Sequence, residues 1–145
     1  MEGRIFASAE APDSPRVAHY SHVIYPIVPG IPVHLSGIVG KDIGTGKLVE
    51  GGAGPEAECI LGEVERQLAN IGLKLRHVMS VIVFLAGPVG DSDNPSPDFA
   101  AMNAVYKKIF GENNPPPTRA TIGGCQLLDG ARVEMVVTAW KPNSD

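Results

Sequence analysis

Residues 77–87, HVMSVIVFLAG, form an unbroken apolar run rich in β-branched side chains. A bilayer span needs about 20 such residues, so the run is too short to cross a membrane. It is too β-branched for a helix and reads as a central strand buried on both faces. The segments on either side supply partners for it. Ala57, Ile60, Leu61, Val64, Leu68 and Ile71 recur at helical spacing, which predicts a helix opening at Pro55 and stopping at Gly72. Pro55 suits the first helical position, and Glu56 and Glu58 lie where the helix dipole favours anions. Beyond the proline-rich loop PVGDSDNPSP, the residues Phe99, Met102, Val105, Tyr106, Ile109 and Phe110 predict a second amphipathic helix, with Asp98 at its start and Gly111 after its end.

Short β-branched stretches punctuated by Pro and Gly precede the first helix: GRIFAS, SHVIYPIV and IPVHLSGIVG. They read as three successive strands. After the second helix, TRATIGGCQLL and ARVEMVVTAW read as two more strands, and the Asp-Gly of LDGA between them is a hairpin signal. The last strand alternates, with Val133, Met135, Val137 and Ala139 facing one way and Glu134, Val136, Thr138 and Trp140 the other. The order is βββαβαββ, an α+β architecture with two helices on one face of a mixed sheet. If the other sheet face is largely apolar, a second subunit has to cover it.

The chain has 145 residues, of which 43% are hydrophobic and 19% charged, ordinary values for one globular domain spanning residues 1–145. Its net charge of −4 and lack of a Lys/Arg cluster argue against a nucleic-acid partner. No membrane segment is expected, and the opening MEGRIFASAE lacks the basic and apolar pattern of a secretory signal, so the expected compartment is the cytoplasm. Cys59 and Cys125 read as ordinary buried thiols rather than a disulfide or metal pair.

Few motifs carry chemistry. GTGK at 44–47 lacks the spacing of a phosphate-binding loop and reads as a hairpin turn. His19, His22, His34 and His77 form no metal-ligand pair, and no serine sits in a nucleophile elbow. Asp91 and Asp93 lack a calcium-loop pattern. Arg119 stands apart. Following Pro115, Pro116 and Pro117, it places a planar cationic fork on a stiff stretch of strand, suited to a carboxylate; from residue type alone a salt bridge at the surface is the simpler alternative. Glu134 interrupts a nearly apolar strand, either as an exposed position or as a group that moves a proton or holds a water.

Taken in order, LSGIVG, IGTGKLV, LANIGLKLRHVMSVIVFL, DFAAMNAVYKKIF, PPTRATI and ARVEMVVTAW resemble the Rid family, also called the YjgF or reactive intermediate deaminase family. The likeness runs from about Ile5 to Trp140. It implies a chorismate-mutase-like fold of the bacillus type, assembled as a homotrimer with a central barrel and ligand sites in clefts between subunits. It also implies hydrolysis of 2-enamino and 2-imino acids to 2-oxo acids and ammonia, on a small carboxylic acid substrate, without a metal or organic cofactor. Carried over by position, Arg119 binds the substrate carboxylate and Glu134 associates with the catalytic water. Tyr20, Ser36, Gly37, Asn103 and Thr121 fall on substrate-binding positions. The chain departs from the archetype at Ile38, where glutamine is usual and a polar group near the cleft is lost. It departs again at Ala120, at Thr121 in place of cysteine, at Glu56 and Glu63 in place of amides, and in a longer loop over 87–97. These departures keep two other readings open: a trimeric binder of small 2-oxo acids without turnover, and the endoribonuclease or translation-inhibitor activity attributed to the family, against which the acidic composition argues.

Overall fold

A computed structural model of the chain describes residues 3–10 and 19–144. Its elements are β1 (Phe6–Ser8), β2 (Ile24–Pro26), β3 (Gly30–His34), β4 (Ile38–Val39), α1 (Ala53–Ala69), β5 (Val78–Leu85), α2 (Pro97–Phe110), β6 (Thr118–Ile122) and β7 (Val133–Pro142). Strands β1 and β2 form a small antiparallel ladder of their own. The main sheet runs β3-β7-β5-β6, with β4 also on β7, and it is mixed because β6 alone lies parallel to its neighbour β5. The structure is therefore the α+β arrangement expected, two helices on one face of a mixed sheet.

The first helix begins two residues earlier than its periodicity predicts. Gly51 and Gly52, at φ 109° and 88°, turn the chain into it, and Pro55 is its third residue rather than its first. Proline is tolerated there because the opening N–H groups of a helix have no intrahelical acceptor. Glu56 turns inward rather than toward solvent: it is 3% exposed, and its Oε1 accepts the backbone N–H of Arg132 at 2.8 Å. At the far end Gly72 has φ 77°, the left-handed stop its type allows. Ile71 lies beyond the helix and is 42% exposed, so it leaves the apolar face it was expected to join. The second helix is capped by Ser96, whose hydroxyl accepts from Phe99 N at 3.0 Å. Gly111 ends it in a helical conformation, and a Cβ there would sit 2.6 Å from the Lys107 carbonyl, so close approach rather than a left-handed turn demands the glycine.

Two expectations of strand pairing are corrected. The third predicted strand divides into β3 and β4: His34 pairs with Thr138 and Ile38 with Met135, so the first strand advances one residue more than its partner. The surplus is a bulge at Leu35, Ser36 and Gly37, which re-aims those residues. The predicted hairpin between β6 and β7 does not form, because β5 sits between them. Asp129 and Gly130 do take left-handed angles, 56° and 75°, but the turn leads the chain across the sheet instead of into an adjacent strand.

Alternation in β7 falls as expected. Val133, Met135, Val137 and Ala139 are fully buried beneath the helices, alongside Val81, Val83 and Leu85 of β5. Ile60, Leu61, Val64 and Leu68 of α1 and Met102, Tyr106 and Phe110 of α2 close that layer, each burial of a large apolar side chain contributing about 1.5–3 kcal/mol. Strand β5 is buried on this face only. Ser80, Ile82 and Phe84, on its other face, are half-buried, because the helices lie on one side of the sheet. That open face also carries Ile122, Val136 and Trp140, the half-covered apolar surface anticipated from sequence.

Candidate active site

Arg119 is set on the edge strand β6 by the prolines before it. Pro115 and Pro117 are buried. Ser21 fastens the amino-terminal segment to them, its N–H donating to the Pro117 carbonyl at 3.1 Å and its hydroxyl to the Pro116 carbonyl at 2.5 Å. His19 donates Nε2–H to the Phe110 carbonyl at 3.0 Å, so Tyr20 is held between two anchored neighbours. Register places Arg119 opposite Val81 and Thr121 opposite Val83, so both side chains face the helices.

The guanidinium of Arg119 lies among α2 side chains. One Nη1–H donates to Asn103 Oδ1 at 2.7 Å, and the cationic carbon stands 4.7 Å from the Tyr106 ring centroid and 5.6 Å from that of Phe99. Phe99, Asn103 and Tyr106 are spaced four and three apart, which brings them to one face of the helix. Burial pulls the Arg119 guanidinium below its ordinary pKa, an effect Tyr106 and Tyr20 oppose; it stays charged, as arginine in proteins does. Among the described residues no carboxylate pairs with it, so the surface salt bridge that its residue type alone favours is absent. One neutral amide leaves most of the five guanidinium donors open to an incoming acid. The Thr121 hydroxyl and the Tyr106 phenol are both buried without a hydrogen-bond partner among the described residues, and burial raises the Tyr106 pKa.

Glu134 has different company. It pairs across the sheet with Val39 and Phe84, on the open face. Gly37 in the bulge lies against it: a Cβ on Gly37 would stand 3.0 Å from Glu134 Oε2, so glycine lets the backbone approach the carboxylate. Ser36 is exposed beside it. The candidate residues thus fall into two groups. Arg119, Asn103, Thr121 and the anchored Tyr20 belong to the helix side of the β6 edge, whereas Glu134, Ser36 and Gly37 belong to the other face, with β5 running between their strands.

The departures from the archetype also find places. Ile38 pairs with Met135 and packs, partly buried, against the core. Ala120 is exposed on the open face opposite Ile82. Glu63 is tied at the surface to Arg66 and Gln67, which hold its carboxyl below the usual range. The GTGK segment is the expected turn, bridged between Lys41 and Leu48 with Gly46 at φ 71°. Neither cysteine is in a disulfide, and no group of three metal-ligating side chains occurs among the described residues. Sequence reading passed over Phe99 and Tyr106 as core residues. Their spacing around Asn103 was the available signal that an aromatic seat lay beside the arginine's partner.

This arrangement of sheet and helices has close counterparts. YyfB of Yersinia pestis, a protein of unknown function of the conserved Rid protein family, superposes with a TM-score of 0.76 over 94% of this chain and 99% of its own, at 19% identity, a likeness of fold. The sequence signature of the endoribonuclease L-PSP family matches residues 10–141, and the chain belongs to that family. A 2-iminobutanoate/2-iminopropanoate deaminase of Homo sapiens is 29% identical over 136 residues, covering 94% of this chain and 88% of the human one. Protein DfrA of Myxococcus xanthus is 30% identical over 135 residues, 93% of each chain. No helix among the described residues is long and apolar enough to cross a membrane.

Proposed function

We propose that the chain hydrolyses 2-imino and 2-enamino acids to 2-oxo acids and ammonia in the cytoplasm, at clefts built between copies in a homotrimer. The observation that carries this is the Arg119 guanidinium, seated on two aromatic rings and held by a neutral amide, with no carboxylate partner among the described residues. A desolvated cation so placed favours an anion strongly, and its fork matches a carboxylate in two parallel hydrogen bonds. The kinship with proteins named imine deaminases supports the choice of substrate class.

Arg119 fixes the acid by its carboxylate, and Asn103 fixes Arg119. An enamine first takes a proton at carbon to become the imine, whose carbon is electrophilic. Water attacks that carbon, Glu134 accepts the proton water loses, and the C=N electron pair moves to nitrogen, which is protonated. The carbinolamine then collapses: its hydroxyl proton passes to nitrogen, the C–N bond breaks, ammonia leaves and the carbonyl forms. Orientation of a reactive imine and one proton shuttle supply most of what such a step needs. Because Arg119 and Glu134 lie on opposite faces of one sheet, each cleft takes the clamp from one copy and Glu134, Ser36 and Gly37 from another. That separation also favours the second reading, a binder of 2-oxo acids without turnover, since the clamp is complete without Glu134.

Mixing tests the reading. Arg119→Ala and Glu134→Gln are each expected to be inactive on imines generated by an amino-acid oxidase. Unfolding and refolding them together pairs two intact halves in about a quarter of the clefts of a random assembly. Activity returning to roughly that fraction of wild type supports a shared cleft. A mixture as inactive as its parents refutes it, and wild-type protein that binds 2-oxo acids but hydrolyses nothing selects the binder.

A further inference from the structure

The loop over 87–97 is longer than a plain connection needs, and it is built as an arm. Gly90 and Pro95 bridge antiparallel, Asp91 and Asn94 exchange backbone hydrogen bonds at 3.0 and 3.1 Å, and Ser96 N donates to the Val89 carbonyl at 2.9 Å. Its root is tied down by Gly124 N donating to the Gly87 carbonyl at 2.9 Å, by Val89 packing on the core, and by Arg132 paired with Asp98. Between this arm and α2 lies a cavity of about 420 Å³. Its walls are Val89, Pro95, Phe99, Ala100 and Ala104, and its two charges, Asp91 and Lys107, are of opposite sign.

Asn103 and Phe99 line this cavity and are also the residues that hold and flank Arg119. The apolar chamber therefore lies one side chain away from an acid clamped by Arg119. Pockets of about 300–1,000 Å³ hold ligands far larger than a three- or four-carbon acid. We infer that this cavity is the side-chain subsite of the Arg119 clamp and selects 2-imino and 2-oxo acids with a bulky branched or aromatic substituent. The cancelling charges at Asp91 and Lys107 disfavour a second acid group. The inference rests on Arg119 being the carboxylate clamp.

Calorimetric titration with pyruvate, 4-methyl-2-oxopentanoate and phenylpyruvate separates the two claims. Wild-type protein is expected to bind a bulky acid at least 10-fold more tightly than pyruvate, since each buried methylene adds about 0.8 kcal/mol. Ala104→Phe and Ala100→Leu, both at exposed positions on α2, fill the cavity and lower that ratio several-fold. A wild-type protein without preference, or variants that keep it, overturns the subsite while loss of every acid in Arg119→Ala still upholds the clamp. If no acid binds wild type, or Arg119→Ala binds all of them as wild type does, the clamp itself is wrong and the subsite falls with it.

Discussion

Replacing Tyr106 with phenylalanine removes one oxygen and keeps the ring in place, so it isolates what a buried, unpartnered phenol costs. The Tyr106 hydroxyl has no hydrogen-bond partner among the described residues, and its residue is fully buried. A hydroxyl left unsatisfied in the interior forfeits about 1–3 kcal/mol relative to water. Against this stands the void left by one oxygen, worth about 0.3 kcal/mol at roughly 24 cal/mol per Å³. Helix propensities of Tyr and Phe are nearly equal. The ring contact with Phe110, at 4.7 Å between centroids, and the cation–π contact under Arg119, at 4.7 Å, both survive. Tyr106→Phe is therefore expected to stabilise the protein by about 1 kcal/mol, displacing the urea midpoint upward by about 0.5 M for a slope of about 2 kcal/mol/M. Equilibrium urea unfolding at one protein concentration measures this, because the proposed assembly would link stability to concentration. Destabilisation by more than about 0.5 kcal/mol would refute the reasoning and mean that the phenol is satisfied in solution.

Other perturbations have definite expected outcomes. Met135→Ala empties a fully buried position on β7 and is expected to cost about 2–5 kcal/mol in chemical denaturation. Ser96→Ala removes the cap on Phe99 N and should cost about 1 kcal/mol, with Ser96→Asp close to neutral because aspartate caps as well. Burial, and the negative charges of Asp42, Glu63 and Glu56, push the Cys59 thiol above its ordinary pKa. Less thiolate forms at pH 8, so alkylation of Cys59, followed by mass spectrometry, should be slower than for a free thiol and should accelerate only toward higher pH.

Helices were the most legible elements, because burial of one face writes a period into the sequence. The set Ala57, Ile60, Leu61, Val64 and Leu68 predicted the body of α1, and the misses fell at its ends, at the start before Pro55 and at Ile71, where backbone angles rather than hydrophobicity decide the outcome. Alternation did the same for β7. Strand order was not legible. Asp129 and Gly130 encode a local turn faithfully, but which strand lies beside β7 depends on the distant β5. The bulge at Leu35 to Gly37 likewise arises from pairing with β7, and its own residues show only a short polar interruption. Arg119 and Glu134 could each be named from motif register, yet their placement on opposite faces needed the sheet. The aromatic seat beneath Arg119 was hidden by the same logic that found α2, since a ring serving a cation and a ring filling a core leave the same periodic mark.

The arm between β5 and α2 has a consequence for how such a protein can diverge. Its hydrogen bonds close on themselves between Val89 and Ser96, and its ends are pinned at Gly87 and Asp98. Lengthening, shortening or rewriting the tip alters one wall of a chamber while the strands and helices keep every partner they have. Arms exchanged between related chains should behave as cassettes, moving selectivity from one host to another and leaving the host's unfolding midpoint nearly where it was.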